Sequence, residues 1–306
     1  MRPFAFPLFQ LSAFSLLVLL AIPAGARAQA LYGKDAPKDK AAKSWQEEKK
    51  KLPKFDPPKT ADGHPDMQGY WGGLGSGDDI EEHAYIDITT PPQESFLIDP
   101  PDGKIPYQPW ALAERNKYRA GLGRGWPGES GVKLHIDPQT FCFTTIPRAN
   151  YRGGFQIVQA ADRFVFLLDW GHFYRSIPTD GRPHAVASSV KMLMGNSVGH
   201  WEGDTLVVDV TGLDGKLWLD SAGNFFSNTA HMVERWTMVG QNVIDYSVTI
   251  EDPTVYTRPW TINLPMRRNR NSDEIWEHAC HEGEQDYDTV KENGYTPWWG
   301  VIPPKK

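Results

Sequence analysis

From residue 155 to residue 281 the chain repeats one pattern: short runs rich in β-branched and aromatic residues, each closed by a turn signal. Residues 155–159 and 163–169 flank Ala161-Asp162. Residues 172–177 lead into Asp180-Gly181, a two-residue hairpin signal. Residues 198–202 and 205–210 flank Gly203-Asp204, residues 231–239 and 243–251 flank Gly240-Gln241-Asn242, and residues 274–280 end the series. Helical periodicity is absent from this region. Strands joined by tight turns pair with their neighbours, which makes an antiparallel meander. About eight to ten such strands leave open edges unless the sheet closes on itself. The prediction is therefore a mostly β fold, a single antiparallel meander closing into a lipocalin-like barrel. A β-sandwich is the alternative. A propeller is disfavoured because no repeat of blade length occurs. A barrel of this size encloses a side-chain core or one small ligand.

The first thirty residues bear on location. Arg2 precedes a nearly unbroken apolar stretch from residue 4 to residue 22, followed by Pro23, Gly25 and the small-x-small sites Ala26-Arg27-Ala28 and Ala28-Gln29-Ala30. This reads as a cleavable secretory signal peptide. A transmembrane anchor is the alternative, since about 20 apolar residues span a bilayer. The helix breakers and paired cleavage sites argue against it, so no stable membrane anchor is expected. The mature chain is expected in the periplasm or outside the cell. Residues 31–64, rich in Lys, Asp and Pro, read as an extended N-terminal arm with a short helix near residues 41–51. Its Lys49-Lys50-Lys51 run is expected to be a solvated surface. Residues 65–306 form the barrel domain, with a helix expected at residues 110–119.

Composition excludes some functions. Removing residues 1–30 takes two arginines and no acid, which moves the net charge from −6 to −8. An acidic surface argues against nucleic acid, whose phosphates demand a basic footprint. An oxidising compartment makes a disulfide the default for the two cysteines, Cys142 and Cys280. Two separate buried thiols are the alternative.

Several strings look familiar together. They are residues 59–71, the run Pro106-Tyr107-Gln108-Pro109-Trp110-Ala111, and Trp201-Glu202-Gly203-Asp204-Thr205-Leu206-Val207-Val208-Asp209. His231-Met232-Val233-Glu234-Arg235, Glu251-Asp252-Pro253 and Cys280-His281-Glu282-Gly283 continue the set. The chain thereby resembles an uncharacterised family of secreted bacterial hypothetical proteins. The resemblance implies a secreted, mostly β protein and names no reaction. The chain departs from the pattern at His278, where an aromatic residue is expected, which weakens a metal reading of that histidine.

Three constellations can carry chemistry. In Asp169-Trp170-Gly171-His172-Phe173-Tyr174-Arg175, Asp169 ends an apolar strand, and Arg175 nearby would counter the effect of burial on its carboxyl. In His231-Met232-Val233-Glu234-Arg235, a strand puts His231, Val233 and Arg235 on one face and Met232, Glu234 and Trp236 on the other. His231 and Arg235 are expected to project together into a cavity, the imidazole moving a proton and the guanidinium holding an oxyanion. In Glu277-His278-Ala279-Cys280-His281-Glu282, a Cys142–Cys280 bond would fix Glu277 and His281 on one face. No second ligand set with zinc-like spacing accompanies His278 and His281, so no metal is expected.

The catalytic candidates are thus His231, Arg235, Glu277, Asp169 and His281. The binding candidates are Arg175, Tyr174, Trp201 and Glu234. Gly121-Leu122-Gly123-Arg124-Gly125 lacks the strand and helix of a dinucleotide site, and no cofactor is expected. Gly195-Asn196-Ser197-Val198-Gly199 lacks the setting of a nucleophile elbow. The expected partner is a small apolar or aromatic molecule. It would be converted by lyase, isomerase or hydrolase chemistry through general acid–base catalysis, or carried unchanged by a periplasmic binding protein. In a structural surface protein these polar groups would only satisfy one another.

Overall fold

In the computed structural model, buried positions alternate with less buried ones along residues 163–168, 231–239 and 243–251, so one face of each of these strands builds a common interior. The structure describes residues 45–72, 79–81, 95–120, 122–123, 135–269, 274–275 and 296–297, all within one unit. The strands are β1 (Gly69–Gly72), β2 (Leu97–Asp99), β3 (Leu122–Gly123), β4 (His135–Ile136), β5 (Gly154–Ala160), β6 (Arg163–Leu168) and β7 (Tyr174–Pro178). They continue as β8 (Asn196–Glu202), β9 (Thr205–Thr211), β10 (His231–Gly240), β11 (Val243–Glu251), β12 (Trp260–Arg268) and β13 (Thr296–Pro297). The helices are α1 (Trp45–Lys49), α2 (Pro109–Ala120) and α3 (Arg148–Arg152).

Ten antiparallel strands make a nearly closed barrel, in the order β7-β6-β5-β1-β12-β11-β10-β9-β8 with β2 also on β12. The antiparallel barrel expected from sequence is the fold, with one addition to the chain order. β1, from the N-terminal part of the domain, lies between β5 and β12 and joins two runs of consecutive strands. The outer edge of β12 is shared: β2 pairs with Thr261 and Ile262, β1 with Arg267 and Arg268. Pro265 falls in the stretch between them, where a missing N–H breaks no ladder bond on that side. That proline hides β12 from a reading of the sequence as strands. The terminal strands β7 and β8 approach each other without pairing, which leaves the ring nearly closed. A Cβ on Gly199 of β8 would sit 3.1–3.3 Å from Thr179, Ile177 and Leu206 side chains, so those side chains would have to shift by a few tenths of an ångström to admit one.

Three hairpins form where the turns predict them. Ala160 pairs with Arg163 around Ala161-Asp162, Glu202 with Thr205 around Gly203-Asp204, and Gly240 with Val243 around Gln241-Asn242. Asp180-Gly181 does not make the predicted two-residue hairpin. The Asp180 carboxylate accepts from the backbone N–H and guanidinium of Arg182, a local turn, and the next strand starts only at Asn196. The predicted strand at residues 172–177 begins later, at Tyr174, because Gly171 and His172 take positive φ in a 3₁₀ turn. The helix expected at residues 110–119 is α2. α3 lies between the expected helix and the first expected strand.

The arm is described from Trp45 onward and lies along the barrel wall. Trp45 donates to Asp245 at 2.6 Å, and Lys49 bridges the same carboxylate at 3.0 Å. Lys49 is thus tied down, whereas Lys50 reaches only Glu47 of its own helix. Farther on, Lys59 pairs with Asp204, and the His64 ring stacks on Trp201 at 4.6 Å. No described helix is long and apolar enough to cross a membrane.

Candidate functional site

The face of β10 that carries Met232 and Trp236 also carries Glu234, and all three are completely buried. A bare carboxylate cannot stay ionised in such a place without partners. The barrel supplies them from three directions. Arg175 on β7 donates to Glu234 Oε2 at 2.5 Å and to Oε1 at 3.3 Å. Asn150 on α3 donates its Nδ2 to Oε1 at 2.6 Å, and the Tyr246 hydroxyl on β11 donates there at 2.9 Å. Arg175 Nη2 also reaches Ser197 Oγ on β8 at 3.1 Å, across the seam of the barrel. Burial and the Glu234 charge together push the Tyr246 hydroxyl well above the ordinary tyrosine range, so it stays a donor.

Aromatic rings surround this cluster. Trp236 packs on Tyr246 with centroids 4.3 Å apart, on Phe166 at 4.9 Å and edge-on to Phe155 at 5.8 Å. The Arg175 guanidinium lies 5.5 Å from the Phe166 ring centre. Three buried polar atoms of this group have no protein partner: Arg175 Nε, Asn150 Oδ1 and Trp236 Nε1.

Asn150 is delivered by a well-anchored helix. Arg148, two residues earlier, grips Asp137 with two hydrogen bonds, Nη1 to Oδ1 at 2.8 Å and Nη2 to Oδ2 at 2.5 Å. Burial alone would raise the Asp137 carboxyl, but the Arg148 charge and hydrogen bonds hold it below its usual value. Arg148 also donates to Ser221 at 2.7 Å, and the Tyr151 hydroxyl to the Leu219 carbonyl. The short helix α3 is thus fixed by its flanks rather than by its own length.

The predicted catalytic residues fall elsewhere. His231 and Arg235 occupy the opposite face of β10, half-exposed and exposed, so the expectation that they enter a cavity is inverted. The interior takes the more apolar set, and Glu234 travels with it. Outside, His231 Nε2 sits 2.7 Å from Asp209 Oδ2, and Arg235 pairs with Glu202 at 2.7 Å. His184 completes this outer cluster, with Nε2 2.7 Å from Asp209 Oδ1 and Nδ1 2.8 Å from Asn196 Oδ1. Burial would raise the Asp209 carboxyl, but hydrogen bonds from His184 and His231 bring it below its usual value. The described residues contain no group of three or more such side chains placed to hold a metal ion.

Asp169 closes the β5–β6 hairpin instead of facing Arg175. It accepts from the Gly154 N–H at 2.9 Å and the Tyr70 hydroxyl at 3.1 Å. Burial and that carboxylate push the Tyr70 hydroxyl up to about 12. Tyr174 points outward and is 70% exposed. Trp201 is half-buried at one end of the barrel, between His64 and Phe164. Glu277, His281 and Cys280 lie outside the described residues. Cys142 is buried in the left-handed region after the 3₁₀ turn Pro138–Phe141.

Of the named candidates, the structure brings together Arg175 and Glu234. Asn150, Ser197, Trp236 and Tyr246 join them and escape a reading of the sequence. The available signal was Glu234 itself, a lone carboxylate in phase with Met232 and Trp236. No family model, curated protein or solved structure matches this chain.

Proposed function

We propose that this protein is a secreted barrel that binds a small apolar or aromatic molecule in its interior. The observation that carries the reading is the buried polar cluster around Glu234, set among aromatic rings, with Arg175 Nε, Asn150 Oδ1 and Trp236 Nε1 left without protein partners. Interior sites of this kind join apolar walls to a few placed polar groups, and each buried unpaired donor or acceptor costs about 1–3 kcal/mol until something satisfies it. The carrier reading is preferred over catalysis because His231 and Arg235, the groups expected to move protons and hold an oxyanion, face outward. Any proton transfer inside would fall to Glu234. The apolar start of the chain and its paired small-residue sites support export, and the resemblance to secreted bacterial proteins supports it further.

Native mass spectrometry of protein exported to the periplasm tests both parts. The expected result is a mature chain lacking residues 1–30, or nearly so, with a small molecule that denaturation releases. An intact chain still carrying Met1 would overturn export with cleavage. A barrel that holds nothing, and that takes up no aromatic probe after refolding, would overturn the binding reading. An added ligand recovered as a different compound would turn the carrier into an enzyme.

A further inference from the structure

We propose that the connection from β7 to β8 is a pH-dependent strap, clasped to the outer barrel wall through the His184 ring and loosened as that ring loses its proton. The connection joins the two strands that approach without pairing. Its ends are held by backbone bonds: the Thr179 N–H donates to the Asp162 carbonyl, and the Met192 N–H to the Gly212 carbonyl. Between them, residues 181–190 are exposed except for His184 and Val186. Arg182 folds back on Asp180 of the strap itself, with Asp162 4.0 Å away. His184 reaches the wall, with Nε2 2.7 Å from Asp209 Oδ1 on β9 and Nδ1 2.8 Å from Asn196 Oδ1 on β8.

Both ring nitrogens of His184 thus face oxygens. The protonated ring donates an N–H to each and sets a positive charge against the Asp209 carboxylate. The neutral ring has one N–H. It gives up the charge, and Asn196 must turn its amide round to meet the bare nitrogen. Imidazole is the side chain whose charge ordinarily changes between about pH 5 and 8, which places such a loss near neutrality. The other charged groups facing the clasp leave its sign intact. His231 on β10 takes Asp209 Oδ2 at 2.7 Å and leaves Oδ1 to His184, and Glu251 on β11 stands 4.0 Å from His231 Nδ1 to offset its charge. Burial would raise the Asp209 carboxyl, but the bonds from His184 and His231 hold it below its usual value, so it stays an anion throughout this range. His231 is a positioning group fixed to the wall, whereas His184 belongs to the strap and is its clasp.

Ser188, exposed within the strap, is the place for a probe. A nitroxide on Ser188→Cys in the full chain gives a broad spectrum when the strap is docked and a sharp one when it is free, with the unsubstituted protein treated alike as the blank. From about pH 5.5 to about pH 8.5 the free-to-docked ratio should rise about two- to five-fold, the effect of one partly exposed charged pair. Adding His184→Gln keeps an uncharged donor and should abolish the rise. Adding His231→Gln instead should preserve it. A ratio that stays constant with pH while His184 is present would overturn the proposal, and so would a rise that persists in His184→Gln. Loss of the rise in His231→Gln would overturn the assignment of the clasp to His184.

Discussion

Glu234 on β10 and Arg175 on β7 meet through the inside of the barrel, though their strands are not neighbours in the sheet. Each is the other's counter-charge in a site closed to water, and this decides how substitutions behave. Removing one member leaves an uncompensated buried charge, a loss of about 3–5 kcal/mol, whereas replacing both with apolar residues of similar size is often near neutral. Glu234→Leu is therefore expected to destabilise the barrel by about that amount, and adding Arg175→Met to that variant should recover most of it. Urea unfolding of the two single variants and the double variant measures the coupling. Additive losses would show that the pair is not the unit described here.

The cluster outside the barrel behaves differently. His231 is about two-fifths exposed where it touches Asp209, and ion pairs at such sites contribute roughly 0–1 kcal/mol. His231→Ala should change stability by no more than that and leave interior ligand affinity unchanged. Asp209 has a folded-state carboxyl below its usual value, with burial opposing the shift and the hydrogen bonds from His184 and His231 overcoming it. The stability that it lends is therefore present above 3.8 and lost as pH falls through the lowered folded value. Acid unfolding of Asp209→Asn should begin from a lower stability and show a shallower decline. A His231→Ala protein that no longer takes up an aromatic probe would move the site to the outer face.

Much of the barrel was legible in the sequence, because strand alternation and turn chemistry are local. Gly203-Asp204 and Ala161-Asp162 sit where a two-residue connection suffices, and their flanking strands pair accordingly. β12 was not legible, since Pro265 interrupts its pattern and its tolerance depends on which strands share its edge. β1 was not legible as a barrel strand, for four residues carry too little periodicity to say where they pair. The site was half legible. The strand period separates the two faces of β10 as sets, but which set turns inward depends on the apolar content of all its neighbours. The more chemically suggestive pair, His231 with Arg235, is on the face that turns outward. Asn150 arrives from a five-residue helix held by Arg148 and Asp137, a tertiary arrangement with no local signature.

A fully buried carboxylate gives a slope of opposite sign to that of Asp209. Asp220 is completely buried beside α2, where its oxygens accept from the Ile80, Ala222 and Asn224 backbone N–H groups and from the Asn224 amide. Burial first, then repulsion from Asp79, raise its carboxyl to about 7. Between 3.8 and about 7 the folded protein retains a proton that the unfolded chain releases. Stability from this site should therefore fall as pH rises through that window. Asp220→Asn cannot titrate and should flatten the slope, whatever it does to stability as a whole. Denaturant unfolding of both proteins across the window checks this. An unchanged slope would assign the titration to another group.

Cys142 sits at the end of the 3₁₀ turn that carries Gln139, directly ahead of α3, and no free cysteine is found among the described residues. The second cysteine of the chain is Cys280, so an exported protein is expected to pair the two. Such a bond closes a loop containing most of the barrel. On the chain-entropy account it would contribute about 4–5 kcal/mol, chiefly by restricting the unfolded chain. It would also tether the C-terminal segment next to the helix that delivers Asn150 to Glu234. Thiol titration of the freshly exported protein, denatured without reductant, should find no free thiol. Reduction should then release two and lower the unfolding midpoint. Two free thiols before reduction would remove the bridge, leaving α3 held by the Arg148–Asp137 pair and its contacts to residues 219–221.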